Sequence, residues 1–195
     1  MRTRLAALTT ATVLGLALTG CSGNDDSVTT KPEPKATSSK TGSDKSEAPQ
    51  DPAQEEPARI GDTITLAGMD DGSELKVTIL KYVDPAKPAD PEIFGPEGGK
   101  KWVAARFQLV NTGKSTYSDS PSNGAKIADT GGQRFDSTIG DITAGPVMTS
   151  DLSLPVGEKA VGWMVWEVPA SSKAATIQWA MDSGFAGAVG QWNVK

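Results

Sequence analysis

Aromatic residues are confined to the C-terminal part of this 195-residue chain, where all five Trp, both Tyr and all four Phe lie at Tyr82 or later. Residues 22–58, by contrast, hold five prolines and many Ser, Thr, Lys, Asp and Glu, and Val28 is their one branched apolar side chain. A stretch of that composition buries too little apolar surface to offset its ordering entropy. We therefore predict a disordered acidic linker over residues 21–58 and one folded domain over residues 59–195.

The first twenty residues predict export. Arg2 and Arg4 precede an uncharged, largely apolar run over residues 5–18, which is too short to span a hydrocarbon core and is typical of a secretion signal. The run ends in Leu18-Thr19-Gly20-Cys21, which resembles the lipobox of bacterial prolipoproteins. That resemblance implies cleavage before Cys21 and transfer of a diacylglyceryl group, with acyl chains such as palmitate, to its thiol.

The cysteine count supports the same interpretation. Cys21 is the only cysteine, and an unpaired thiol in an oxidising compartment is a liability unless it is capped. Two acyl chains on one residue give the stable anchoring that a single chain does not. We expect residues 1–20 to be a lipoprotein signal peptide and Cys21 to hold the chain on the extracytoplasmic face of the cell membrane. The alternative is an ordinary secreted protein whose cysteine follows the signal by chance.

Charge narrows the class of partner. Residues 22–58 carry 4 Lys and 8 Asp or Glu (net −4), and residues 59–195 carry 13 Lys or Arg and 16 Asp or Glu (net −3). A mature chain of net −7 without a Lys/Arg cluster lacks the charge needed to neutralise phosphates, and an anionic membrane surface repels it. We expect no nucleic-acid partner and attachment to the membrane through the lipid. The linker either holds the domain away from the membrane or merely separates it from the export signal.

From Ile60 onward, short runs of alternating β-forming residues are separated by Gly, Pro, Asn and Asp, and no 3.6-residue periodicity is sustained. This pattern predicts an all-β domain. The expected strands are 63–66, 75–83, 102–111, 125–129, 133–135, 151–154, 158–168, 175–180 and 191–194. Nine short strands suit a sandwich of two antiparallel sheets. The prolines at 85, 88, 91 and 96 predict a long loop between the second and third strands.

Two of these strands predict how the sheet is buried. In the strand 102–111, alternation places Val103, Ala105, Phe107 and Leu109 towards the core and Arg106 towards water. The strand 158–168 is apolar on both faces, with Met164 and Trp166 on one and Trp163 on the other. It is therefore the expected central strand, and its outer face is either covered by a loop or forms a groove lined by Trp163.

Three segments carry a resemblance to a known family: Lys101 to Lys114, Asp129 to Phe135, and Leu154 to Pro169. They show, in order, a long strand ending in an Asn-Thr-Gly turn, a hairpin with glycine before an aromatic residue, and a Pro-x-Gly loop leading to a strand that ends in aromatic-Glu-Val-Pro. The chain resembles exported bacterial lipoprotein domains of unknown function, related to the immunoprotective extracellular antigen superfamily. That resemblance implies an immunoglobulin-like sandwich and brings no catalytic residues with it.

The sequence offers few candidate catalytic residues. Histidine is absent, which removes Ser-His-Asp and Cys-His nucleophiles and imidazole metal ligands. The remaining candidates are carboxylates: Asp70, Asp71 and Glu74 before the second strand, and Asp136 and Asp141 beside a loop. Acidic residues in surface turns are usually solvated, and the segment 70–74 does not have the spacing of an EF-hand calcium loop. We expect no enzymatic activity, no metal site, and no cofactor apart from the covalent lipid on Cys21.

The tryptophans supply the one candidate ligand site. Trp163 and Trp102 could stack on sugar rings if their indole faces are exposed, although tryptophans in or beside strands usually pack the core. We therefore expect a non-catalytic binding or interaction domain displayed at the cell envelope, which recognises an envelope protein through its loops. The alternative is a receptor for a small molecule or a wall polysaccharide that uses Trp163 and Trp102.

Overall fold

The computed structural model describes residues 58–194. The strands are β1 (Ala58–Arg59), β2 (Thr63–Ala67), β3 (Glu74–Ala86), β4 (Lys100–Asn111), β5 (Tyr117–Asp119), β6 (Ala125–Asp129), β7 (Arg134–Thr138), β8 (Leu152–Leu154), β9 (Lys159–Pro169), β10 (Ala174–Ala180) and β11 (Val189–Asn193). Two short 3₁₀ turns, Pro121–Gly124 and Asp182–Gly184, complete the regular structure of these residues. The predicted signal peptide, the lipid-accepting Cys21 and the linker lie outside them. Within the described part of the chain, no helix is long and apolar enough to cross a membrane.

The prediction of an all-β domain is confirmed, and each of the nine expected strands is present. Two further strands were not predicted: β1 has two residues and β5 has three, so neither is long enough to show an alternating pattern. The loop after β3 was predicted to include Pro85, but β3 continues through Pro85 to Ala86, which pairs with Trp102. A register shift between Val83 and Ala86 accommodates this proline in the strand.

The sandwich is built from one sheet that folds over itself. Its strand order is β1-β11-β10-β6-β7-β9-β4-β3-β2, and β5 and β8 form a separate two-stranded ribbon. The strand β7 pairs with β6 along one edge and with β9 along the other, so it passes from one layer to the next. The pairs are antiparallel except for β1 with β11. The one nine-stranded sheet therefore supplies both layers of the sandwich.

The main core lies between the two layers. The predicted inward residues of β4, Val103, Ala105, Phe107 and Leu109, are fully buried, whereas Arg106 is exposed. From the opposite layer come Ile127, Ile177 and Trp179, in the same cluster of buried side chains. Alternation along β4 therefore predicted correctly which face is inside.

Three tryptophans belong to this core. Trp166, Trp179 and Trp192 are completely buried. Each indole N–H finds a backbone acceptor: the carbonyls of Ala125 at 3.3 Å, Pro121 at 2.8 Å and Asp62 at 3.0 Å, respectively. The last of these bonds joins β11 to the turn before β2, so it links the two ends of the folded sheet. A buried indole needs such a partner because an unpaired donor is costly.

Candidate functional site

A second, smaller group of buried apolar residues lies on the outer face of β3, β4 and β9, away from the main core. It consists of Ala86, Trp102, Ala104, Ile142, Trp163 and Val165, with Val83 packed against it. The pairing of the strands places Ala104 opposite both Val83 and Val165. The two tryptophans predicted as ligand-binding residues are therefore brought together here, on the outside of the sheet.

Two loops cover this cluster. We call residues 87–99 strap 1 and residues 139–148 strap 2. The straps bond to each other through the amide of Ala89 and the carbonyl of Asp141 at 2.8 Å, and through the amide of Thr143 and the carbonyl of Lys87 at 2.9 Å. Strap 2 also follows β9, because the amide of Met148 donates to the carbonyl of Trp163 at 2.7 Å. The covering is thus held by backbone hydrogen bonds.

Glycine allows strap 2 to approach the rings closely. A Cβ at Gly140 would lie 2.5 Å from the Trp102 ring, and one at Gly145 would lie 3.1 Å from the Trp163 Nε1. Gly145 also has a φ of +142°, which favours glycine. Under these segments Trp102 is 2% exposed and Trp163 is 3% exposed. Of the two predicted arrangements of this face, the one covered by a loop is present, and neither indole offers a free face for a sugar.

A carboxylate joins strap 1 to the sheet. Glu167 of β9 accepts hydrogen bonds from the Lys100 ammonium at 2.8 Å, the Glu97 amide at 3.0 Å and the Trp102 indole N–H at 3.4 Å. The bond from Lys100 is the main cause that lowers the pKa of Glu167 below its usual value. In return, the hydrogen bonds to Glu167 and then to Glu97 raise the pKa of Lys100. The end of strap 1 is therefore fixed beside Trp102.

Apolar side chains project outwards from this fixed base. Ile93 is 83% exposed, Phe94 52% and Ile139 85%. The Phe94 ring packs edge-on against Trp102 with centroids 5.9 Å apart, and Ile139 directly precedes Gly140, which abuts the same indole. Phe94 therefore contacts the buried ring itself, and Ile93 and Ile139 are each the chain neighbour of a residue that lies against it. We call Ile93, Phe94 and Ile139 the apolar patch.

The chain is related to a known family through the part that contains this patch. The family model described as Domain of unknown function (DUF4352) matches residues 70–189, more than half of the chain. The chain belongs to this family. The DUF4352 match includes both straps, Trp102 and Trp163, and it begins after β2. It confirms the expected domain of unknown function, whereas the superfamily and the lipid anchor stay predictions.

Solved structures have a similar fold. The secreted protein MPT63 of Mycobacterium tuberculosis gives a TM-score of 0.50 at 15% identity, over 72% of this chain and 98% of that one. The yjhA protein of Bacillus subtilis gives 0.49 at 13% identity, over 71% and 99%, and an uncharacterized β-sandwich protein of Clostridium difficile 630 gives 0.40 at 15% identity, over 74% and 100%. No curated protein matches the chain significantly. The MPT63 comparison supports the sandwich fold of this DUF4352 domain.

The predicted carboxylates do not converge. Glu74 accepts a hydrogen bond from the Thr112 hydroxyl at 2.7 Å, Asp136 pairs with Lys126, and Asp141 lies in strap 2. Across residues 58–194 the structure shows no group of three or more His, Cys, Asp or Glu side chains placed to hold a metal ion. Asp70 closes its hairpin through the backbone, because its carbonyl accepts a hydrogen bond from the Ser73 amide at 2.9 Å.

One feature of the DUF4352 domain was not predicted. Asp182 and Ser183 both have a φ of 54°, which non-glycine residues seldom adopt. The turn is held by Asp119, which accepts from the Ser183 amide at 2.7 Å and from its hydroxyl at 2.6 Å. Burial raises the pKa of Asp119, but hydrogen bonds from Ser183, Ser120 and Tyr117 together lower it overall. All of these groups are satisfied internally, so the turn has a structural role.

The apolar patch was also missed by sequence analysis. A signal did exist: Ile93 and Phe94 are an apolar pair within a segment that is otherwise rich in Pro, Gly and Asp or Glu. An aromatic residue in such a loop either folds inwards or serves recognition. Composition alone does not distinguish the two, and the structure shows Phe94 half-exposed.

Proposed function

We propose that this chain is an extracytoplasmic lipoprotein, anchored through Cys21, whose DUF4352 domain is a non-catalytic interaction module that binds an envelope protein through the apolar patch. The observation that carries this proposal is the exposure of Ile93, Phe94 and Ile139 on the two straps that cover Trp102, with Phe94 in contact with its ring. Large apolar side chains that are exposed together on a well-ordered base are typical of protein interaction sites.

Hydrogen bonds support the base of the patch. Strap 1 is joined to Glu167 through the Glu97 amide, and the two straps are bonded to each other. A preorganised surface loses little conformational entropy on association. This supports recognition by the straps themselves.

Charge indicates the kind of partner. The straps carry one lysine, Lys87, and four carboxylates, Asp90, Glu92, Glu97 and Asp141, which gives a net charge of −3. A second copy of this chain docked patch to patch would bring the same negative rim, and an anionic membrane would also repel the straps. The proposed partner is therefore a protein whose binding surface combines apolar side chains with a cationic rim.

Export and anchoring are part of the proposal. They are supported by the signal-like residues 1–20, by the lipobox that ends at Cys21, and by the similar fold of a secreted protein. Replacing Cys21→Ser in the full-length chain should abolish labelling with a palmitate analogue and release the protein from the membrane fraction. Unchanged labelling of that variant would contradict the proposed anchor.

The patch is tested by photo-crosslinking of the full-length chain in intact cells. A photoreactive residue at position 93 or 139 should link to a specific envelope protein, which is then identified and purified. The triple variant Ile93→Ser, Phe94→Ser, Ile139→Ser should weaken its binding by about tenfold or more. The matched control replaces three other exposed apolar residues, Met69→Ser, Val156→Ser and Phe185→Ser, and should bind normally. Equal weakening by both triple variants, or crosslinking only to a second copy of the chain, would overturn the proposal.

A further inference from the structure

The outer face of the sheet has a second half that the straps leave open. Moving along β4 away from Trp102, the pairing places Arg106 between Lys81 of β3 and Trp163 of β9. Two residues further, Gln108 lies between Thr78 and Val161, and after two more residues Val110 lies between Lys76 and Lys159. We define the open half as the residues of these three rows, excluding the buried Trp163.

Three cations of the open half have no ion-pair partner in the part of the chain that the structure describes. Lys81, Arg106 and Lys159 are exposed, and no ion pair joins any of them to another of residues 58–194. Lys76 lies on the same face but is already engaged in an interaction. These residues do not form a cationic cluster in the sequence, because they are separated by up to 78 positions. Strand pairing brings them to one surface.

The arrangement contains a mildly unfavourable like-charge contact. Lys81 and Arg106 are cross-strand partners beside a register shift, and like charges in such a pair are destabilising. A bound anion would relieve this repulsion. The one carboxylate in register beside the rows is that of Glu74, which already accepts the Thr112 hydroxyl.

The carboxylates beside Trp102, those of Glu97 in strap 1 and Glu167 in β9, do not cancel this field. Trp102, where strap 1 packs, lies four residues from Arg106 along β4, a separation of about 13 Å at the usual rise per residue. The Debye length at physiological ionic strength is about 8 Å, so exposed charges that far apart are largely screened from each other. A chain with negative net charge can therefore hold a positively charged surface.

We propose that the open half binds an extended anionic polymer, one with phosphodiester or carboxylate groups repeated along a flexible chain. Lys159 lies four residues from Trp163, the β9 partner of Arg106, which places it about 14 Å from the Lys81–Arg106 pair. Positive positions that far apart match repeated anionic groups better than one small anion. Between them, the Gln108 amide offers hydrogen bonds and Val161 offers apolar contact. This site is separate from the apolar patch and does not depend on it.

The test measures binding of fluorescently labelled polymers to the full-length chain in nonionic detergent. The probes are poly(glycerol phosphate) and polygalacturonate of equal charge, with neutral dextran as reference. The variant Lys81→Gln, Arg106→Gln, Lys159→Gln should bind about tenfold more weakly or worse, and the slope of log affinity against log salt should fall by about two. Binding of one probe and not the other identifies the anionic group; binding of both indicates recognition of charge spacing alone.

The matched control removes the same charge elsewhere, through Lys114→Gln, Lys126→Gln and Lys173→Gln, and should bind like the unaltered chain. The segment 47–57 of this chain has four carboxylates and no Lys or Arg, and the test removes its charge in a second background. Both triple variants are therefore also made with Glu47, Asp51, Glu55 and Glu56 replaced by their amides. Equal weakening by both triples, or no binding above dextran in either background, would overturn the proposal. Normal binding of the envelope protein by the open-half variant separates this result from the function of the apolar patch.

Discussion

The two halves of the outer face lie on the same strands and yet differ in almost every physical property. On β9, Trp163 and Val165 are buried beneath strap 2, whereas Val161 and Lys159 are exposed. On β4, Trp102 and Ala104 are buried, whereas Arg106 is exposed and Gln108 is half-buried. The alternation of a strand thus defines which residues share a face. Loops from elsewhere in the chain determine whether that face is buried or exposed to solvent.

The largest expected effect tests whether the covered half is a true core. Trp163→Ala should lower the free energy of unfolding by about 3–5 kcal/mol, because it leaves a cavity beneath strap 2. Val161→Ala, two residues away on the same strand and 39% exposed, should lower it by under about 1 kcal/mol. Urea denaturation followed by far-ultraviolet circular dichroism measures both. Similar losses in the two variants would mean that the straps do not seal the cluster.

The close contact between strap 2 and the Trp102 ring predicts a smaller effect on stability. Gly140→Ala places a Cβ 2.5 Å from the Trp102 ring, so strap 2 or the ring must move, and the free energy of unfolding should fall by about 1–3 kcal/mol. Gly98→Ala in strap 1 is the matched control. A Cβ there meets nothing within 4 Å, and this substitution should be neutral or stabilise the protein by up to about 1 kcal/mol. A loss of stability in Gly98→Ala but not in Gly140→Ala would contradict the close approach of strap 2 to the Trp102 ring.

The contrast between the two halves also explains how far sequence reasoning reaches. The inward side of β4 followed from alternation, since Val103, Ala105, Phe107 and Leu109 repeat every second residue. The apolar outer side of β9 was visible as well, but its cover was not, because nothing local connects Ile142 of strap 2 with Trp163. The cations of the open half were hidden for the same reason: the register between β3, β4 and β9 is a property of tertiary structure.

The junction of strap 1 with the sheet should depend on pH. The pKa of Glu167 lies below its usual value of 4.5 because of Lys100, so the carboxylate stabilises the folded state fully above about pH 5 and loses that effect as pH falls through the lowered pKa. Glu167→Gln should cost up to about 1 kcal/mol at pH 7. The difference between this variant and the unaltered chain should shrink towards pH 3. Glu92→Gln, in the same strap and exposed, should show no such change; a pH-independent loss for Glu167→Gln would assign its role to shape and not to charge.

The smallest effect concerns the open half and has the opposite sign. Arg106→Gln removes one member of the like-charged pair with Lys81, so it should raise the free energy of unfolding by a few tenths of a kcal/mol, roughly the scale of cross-strand pairs. Salt should abolish the gain, because screening already weakens the repulsion in the unaltered chain. Gln108→Ala on the same strand provides the uncharged control and should show no salt dependence. A clear loss of stability for Arg106→Gln at every salt concentration would mean that the cation stabilises the fold. The open half would then be structural, as the covered half is. A salt-sensitive gain would instead mark a charge that the isolated fold does not need, as expected of a binding surface.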